Sequence, residues 1–169
     1  MSSEKGPSKS RVILVSHRLP VTIINSRKGL EVRPSAGGLA SALLPMHEGG
    51  RGLWVGYLGE ALRGKGSRNL GREIRERRLI SVPLTSELLD GYYQGFSNSI
   101  LWPLLHHLTT FMDLDASWWK AYQRANRTFA SAVEQVWRPG DTIWVQDYQL
   151  LLVPGLLREK LPTATIGFF

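Results

Sequence analysis

The 169-residue sequence contains no cysteine. Disulfides, zinc–thiolate sites and a cysteine nucleophile are therefore excluded, and the composition fits a reducing compartment. Long apolar runs are missing as well. The longest, such as Leu150 to Val153, are far too short to cross a bilayer, and the polar stretch from Met1 to Ser10 has no signal-peptide core. No membrane contact is expected, and residues 1–10 read as a disordered leader before one domain over residues 11–169. The four histidines show no metal-ligand spacing, and no G-x-S-x-G elbow or paired-carboxylate pattern is visible. Neither a metal nor hydrolytic chemistry is indicated.

Acidic residues are the scarcer charge, 14 against 21 Lys and Arg, for a formal net charge of +7. Nucleic acid, anionic small molecules and a solvated basic surface all fit that balance. The basic residues concentrate between Arg63 and Arg78 but are interleaved with Glu73 and Glu76, and no aromatic residue stands among them. A mixed-sign run of this kind reads as a solvated, partly helical face, and no nucleic-acid partner is expected.

What is present is an alternation of short β-rich runs with helical segments. Arg11 to Ser16 (R-V-I-L-V-S) is a continuous apolar run that predicts a buried parallel strand. Val21 to Ile24 and Leu30 to Val32 flank a turn-rich stretch and predict a hairpin. Ser35-Ala36-Gly37-Gly38 opens a helix over Leu39 to His47, with Ser35 as its candidate cap. Further strands are expected over Leu53 to Tyr57, Leu79 to Leu84, Thr142 to Val145 and Thr165 to Phe169. Helical segments are expected from Thr85, over Asn98 to Leu108 despite Pro103, over Ala116 to Trp137, and over Leu150 to Lys160 with Pro154 in the first turn or at a kink. The pattern predicts an α/β fold, Rossmann-like, with a largely parallel sheet and helices on both faces.

Four constellations could carry chemistry. Ser16-His17-Arg18-Leu19-Pro20 follows the first strand, where the ligand crevice of a doubly wound sheet opens. Arg18 there could grip a phosphate with its planar fork or pair with a surface carboxylate. His17 alone reads as a packing or surface residue. Gly37 and Gly38 before a helix suit a diphosphate at the helix N-terminus, or form an ordinary turn. The run Tyr92 to Pro103 (Y-Y-Q-G-F-S-N-S-I-L-W-P) could stack rings on a sugar or fill a core. Its polar residues would need partners if buried. Asp147, just past a central strand in Q-D-Y-Q, could accept from sugar hydroxyls or cap the next helix.

These pieces, in this order, resemble the trehalose-6-phosphate synthase family. Its pattern is S-N-R-L-P, S-A-G-G-L, W-V-G, Y-Y-x-x-F-S-N-x-x-L-W-P, V-H-D-Y-H-L and I-G-F-F. The chain reads S-H-R-L-P, S-A-G-G-L, W-V-G, Y-Y-Q-G-F-S-N-S-I-L-W-P, V-Q-D-Y-Q-L and I-G-F-F. The resemblance implies the N-terminal domain of a two-domain GT-B glycosyltransferase that moves glucose from UDP-glucose to glucose 6-phosphate with retention, without a metal or other cofactor. It implies that Arg18, Tyr93, Trp102 and Asp147 bind the glucose 6-phosphate acceptor and that Gly37 and Gly38 lie against the donor diphosphate. It also implies a cytoplasmic location and admits a homo-oligomer. On the same resemblance the domain is incomplete. The catalytic set is completed by residues after I-G-F-F and by a C-terminal donor domain, so the chain is expected to be inactive alone. His17 stands where the pattern has Asn, and Gln146 and Gln149 where it has His. Those departures leave open a related sugar-phosphate glycosyltransferase, such as a glucosylglycerol-phosphate synthase, or a non-catalytic sugar-phosphate-binding paralogue.

Overall fold

The computed structural model describes residues 11–26, 29–59 and 67–169. The expected leader over residues 1–10 and the first part of the basic run lie outside these residues. Five parallel strands form the central sheet: β1 (Val12–Arg18), β4 (Leu53–Tyr57), β5 (Leu79–Ser81), β6 (Thr142–Val145) and β7 (Thr165–Phe168), in the order β5-β4-β1-β6-β7. An antiparallel hairpin, β2 (Val21–Ser26) with β3 (Gly29–Pro34), leaves the sheet directly after β1.

The apolar run of β1 is buried on both faces, which is what a central parallel strand requires. Ile13 and Val15 enter one core with Val55, Ile143 and Val145, whereas Leu14 enters a second with Trp54 and Leu79. Helices cover both faces, as the sequence predicts. The first core is closed by α3 (Ser86–Leu89), α5 (Ala116–Val136) and α6 (Val153–Lys160). Over the second lie α2 (Ser67–Glu76), through buried Leu70 and Ile74, and Leu43 of α1 (Gly38–Gly49). From β1 the chain moves outward to β4 and β5, then crosses to β6 and β7 on the other side of β1. That reversal places the topological switch point between β1 and β6, where open α/β sheets bind ligands.

Several local expectations are corrected. Ser35 does not cap α1. The position before the helix is Gly37, with extended backbone and no side-chain cap bond, while the Ser35 hydroxyl pairs with Thr22 Oγ1 at 2.9 Å. Strand β5 ends at Ser81, short of Leu84. The polar–aromatic run does not form ordinary helices separated by a break. Asp90–Leu101 is a π-helix that continues α3 and leads into α4 (Trp102–Leu105). Pro103 sits in the first turn of α4, where its missing N–H does little harm. Ser97 and Ser99 reach back five residues to the carbonyls of Tyr92 (2.8 Å) and Gln94 (2.9 Å), matching the wider turn. Gly95 faces α5 so closely that a Cβ there would come within 2.6 Å of the Trp118 indole. Helix α6 begins at Val153, with Pro154 in its first turn.

Arg11 ties the start of β1 to the approach to β6. Its Nε donates to Asp141 Oδ1 at 3.0 Å, and a second guanidinium nitrogen donates to the Val136 carbonyl at 3.0 Å. Burial pushes the Asp141 carboxyl up, but its bonds from Arg11 and the Arg138 amide outweigh that and hold it below the ordinary carboxylate range.

Candidate active-site cleft

At the carboxyl ends of β1 and β6 lies a cleft of roughly 300 Å3, bounded by His17, Arg18, Gly37, Gly38, Tyr93, Asp147 and Gln149 among others. Five of the six residues singled out from the sequence therefore meet in one space, although they are spread from position 18 to position 147. Trp102 does not line it. The residue is 46% exposed, and its ring lies 5.6 Å from that of Tyr148, the residue after Asp147, with the His106 ring tilted by 35° against the same indole at 3.7 Å.

Arg18 is carried by a break in the β1–β4 register. Val15 pairs with Val55, but Arg18 pairs with Tyr57, so β1 bulges between them. A small relay fixes the bulge. Trp54 Nε1 donates to Ser16 Oγ at 2.7 Å, and Ser16 Oγ donates to the Arg18 carbonyl at 2.7 Å. Gly56 makes the geometry possible, because a Cβ there would stand 2.8 Å from Leu19 N and 2.9 Å from Arg18 C. The Ser of S-H-R-L-P and the Trp and Gly of W-V-G thus hold Arg18 at the rim. The sequence alone did not assign them that role.

The hairpin returns through the bond from Ser35 N to the Pro20 carbonyl, 2.9 Å, and delivers Gly37 and Gly38 to the cleft at the start of α1. A Cβ at either glycine would meet nothing within 4 Å. Neither packing nor a left-handed conformation demands glycine there, so the protein's own interior gives no reason for the pair. The first turn of α1 holds no acidic residue, and its free amides and positive dipole end favour an anion.

Asp147 has φ 75° and ψ 159°, a region that almost only glycine occupies. Such strain costs of order 1–3 kcal/mol and persists only where the surroundings over-determine it. The Asp147 amide donates to the Phe169 carbonyl at 2.6 Å, and Oδ1 accepts from the Tyr148 amide at 2.8 Å. The two roles considered from sequence are therefore compatible: the carboxylate caps a short 3-10 turn (Tyr148–Leu150) and also borders the cleft. Sequence reasoning missed what braces this loop. Tyr122 of α5 donates through its hydroxyl to the Tyr148 carbonyl at 2.7 Å and accepts from the Leu151 amide at 3.1 Å. Asn126, fully buried one turn on, donates to the Gln149 carbonyl at 3.1 Å and accepts from the Leu152 amide at 3.2 Å. A lone Asn on the apolar stripe of α5 was the available signal. Tyr148 in turn donates to Asn98 Oδ1 at 3.0 Å, joining the Q-D-Y-Q turn to the F-S-N segment.

His17 is buried against three tyrosines. Its ring stacks on Tyr93 with centroids 4.1 Å apart and planes 9° from parallel, and its Nδ1 lies 3.2 Å from the Tyr92 hydroxyl. Burial, and secondarily the charge of Arg18, push its pKa down to about 3. Folded His17 therefore stays neutral while the unfolded chain takes up a proton below about pH 6.5, so this contribution to stability is lost as pH falls from 6.5 toward 3. The expected loss between pH 7 and pH 5 is roughly 2 kcal/mol. Chemical-denaturation midpoints at the two pH values test it, and a His17→Phe/Tyr92→Phe variant should lose correspondingly less. His47 is shifted in the same direction by burial and adds to the trend in both proteins.

Among the described residues no group of three or more His, Cys, Asp or Glu is arranged to hold a metal, and no helix is long and apolar enough to cross a membrane.

The family model for glycosyltransferase family 20 matches residues 10–169. The bifunctional trehalose-6-phosphate synthase/phosphatase of Thermoproteus tenax is 42% identical over 168 residues, which cover 94% of this chain and 22% of that protein. The UDP-forming alpha,alpha-trehalose-phosphate synthase of Emericella nidulans is 41% identical over 168 residues, 96% of this chain and 33% of that one. The crystal structure of the UDP-forming synthase from Burkholderia xenovorans in complex with glucose-6-phosphate superposes with a TM-score of 0.71 at 28% identity, covering 95% of this chain and 33% of that chain. The chain thus spans between about a fifth and a third of the length of these relatives. Sequence, fold and the gathered cleft residues agree, and the chain belongs to glycosyltransferase family 20.

Proposed function

We propose that this chain is the acceptor-side part of an enzyme that transfers glucose from UDP-glucose to glucose 6-phosphate, giving trehalose 6-phosphate and UDP. One observation carries the reading: a guanidinium, a bare Gly-Gly backbone at a helix start and a carboxylate on a strained backbone border a single cleft at the switch point of the sheet. The relatives named as UDP-forming synthases, one of them solved with glucose-6-phosphate, support the choice of substrates.

In this reading Arg18 holds the acceptor phosphate through its planar fork, Asp147 accepts from acceptor hydroxyls, and Tyr93 offers a ring to the sugar. Trp102 acts from the neighbouring rim, through Tyr148, rather than from the cleft floor. Gly37 and Gly38 let the donor diphosphate approach the amides of α1. As the sugar–phosphate bond breaks, negative charge grows on UDP, and those amides stabilise it without rearranging. The chain's contribution is positioning and charge stabilisation, with no metal or other cofactor in the scheme. A cytoplasmic location belongs to the same reading.

The test is turnover by the full-length protein with both substrates. Release of UDP that depends on glucose 6-phosphate, with trehalose 6-phosphate identified by NMR, is expected. Binding of glucose 6-phosphate without any UDP release would instead indicate a non-catalytic sugar-phosphate binder.

A further inference from the structure

We infer that His17 is a positioning residue for sugar-phosphate binding: held in orientation by Tyr92, it is the platform that sets where Tyr93 stands in the cleft. The inference rests on the proposed function and names a residue that acts through another one.

The arrangement has three layers. Tyr92 is fully buried, and among the described residues its hydroxyl meets His17 Nδ1 at 3.2 Å. A tyrosyl hydroxyl has a single hydrogen. If it donates to Nδ1, that bond is made, the imidazole proton resides on Nε2, and the Nε2–H is the one group left over. If instead Nδ1 donates, the Tyr92 hydrogen is stranded and Nε2 is left with an idle lone pair, which is the costlier pattern. The first arrangement fixes the tautomer, while packing against the rings of Tyr92 and Tyr57, with centroids 5.5 and 6.2 Å away, holds the angle of the ring. Next, that ring lies flat against Tyr93 at 4.1 Å, so the angle of one determines the angle of the other. Finally, Tyr93 is only half-buried and borders the cleft beside Arg18 and Asp147. Tyr92 is packed against Tyr122 and Phe129 of α5 with ring centroids 6.0 and 6.3 Å away. The chain of contacts therefore starts in the rigid core and ends at the ligand face.

His17 itself offers little to a ligand. It borders the cleft with only 7% of its surface exposed, and among the described residues its Nε2, closed off from solvent, has no hydrogen-bond partner. A residue that touched the ligand would show accessible polar atoms; this one shows a ring face already occupied by Tyr93. The neutral state that burial imposes also suits a stacking surface, since a charged ring this close to Arg18 would repel it. The structure thus gives His17 a mechanical role and leaves ligand contact to its neighbour.

The experiment is a set of binding titrations on the full-length protein, with glucose 6-phosphate and UDP-glucose as separate ligands. His17→Ala should weaken glucose 6-phosphate binding by about tenfold and change UDP-glucose binding by less than about twofold. In a Tyr93→Ala background, adding His17→Ala should cause no further loss, because the residue through which it acts is gone. The double variant His17→Phe/Tyr92→Phe keeps the stacked rings and removes both polar partners together, so it should fold and bind glucose 6-phosphate within about threefold of wild type. Independent, multiplicative losses from His17→Ala and Tyr93→Ala would overturn the inference. So would a loss of tenfold or more in the folded His17→Phe/Tyr92→Phe protein, which decides the matter even if His17→Ala fails to fold. If wild-type protein binds neither ligand, the functional reading fails first and this inference falls with it. Wild-type binding with additive variants rejects the inference alone.

Discussion

Replacing Arg18 by lysine in the full-length protein is expected to raise the Michaelis constant for glucose 6-phosphate at least about tenfold and to leave that for UDP-glucose within about twofold. Lysine keeps the charge but not the planar fork, and hydrogen bonds to charged groups are worth roughly 1.5–3 kcal/mol each. Loss of one such bond corresponds to a factor of ten or more in affinity. The asymmetry matters more than the size. Arg18 lies at the end of β1, while the Gly37–Gly38 backbone assigned to the donor lies at the start of α1. Steady-state kinetics with each substrate varied in turn provide the check. Equal increases for both substrates would remove Arg18 from its assigned place.

The second large effect concerns Gly56, which touches no ligand in this account. Gly56→Ala should destabilise the protein by about 3 kcal/mol, the upper end of the range for overpacking. The new Cβ would meet backbone on the β1 side, namely Leu19 N and the Arg18 carbonyl group, rather than a side chain that can turn away. Relief requires β1 and β4 to part where Leu19 N bonds the Tyr57 carbonyl at 3.0 Å. Any variant that still folds should bind glucose 6-phosphate poorly, because the displaced atoms include those of Arg18. Gly37→Ala is the contrasting case. Its Cβ would enter open space, so the melting temperature should hardly move, whereas UDP-glucose binding should weaken. Thermal melts and titrations of the two variants separate a glycine required by packing from one required by a ligand. If Gly56→Ala melted like wild type, the tight β1–β4 approach would be refuted.

Much of this was legible in the sequence because period and composition agreed with the tertiary demand. The continuous apolar run of β1 has to be buried on both faces, and it is central in the sheet. The apolar stripe of α5, from Tyr122 to Val133, faces the first core. Arg18, the Gly37–Gly38 pair and Asp147 could be singled out, and do line the cleft, because each follows or precedes an element end that an α/β sheet directs toward its crevice. What was not legible depended on backbone detail that period does not encode. The π-helix over Asp90–Leu101 is accompanied by five-residue back-bonds from Ser97 and Ser99, which no spacing rule singles out. Ser35 resembles a helix cap by type, but Thr22 across the hairpin competes for its hydroxyl. Trp102 belongs to the same motif as Tyr93, yet nine positions of helix carry it to a different rim. The supports from Ser16, Trp54, Tyr122 and Asn126 are long-range hydrogen bonds. Their partners become neighbours only once the sheet is assembled.

The central claim is that residues from β1, the start of α1, the π-helix and the turn after β6 form one sugar-phosphate site. A crystal structure of the full-length protein with glucose 6-phosphate bound tests it most directly. The phosphate is expected within hydrogen-bonding distance of the Arg18 guanidinium, with a sugar hydroxyl on the Asp147 carboxylate. A phosphate bound elsewhere, with Arg18 and Asp147 both facing solvent, would contradict it.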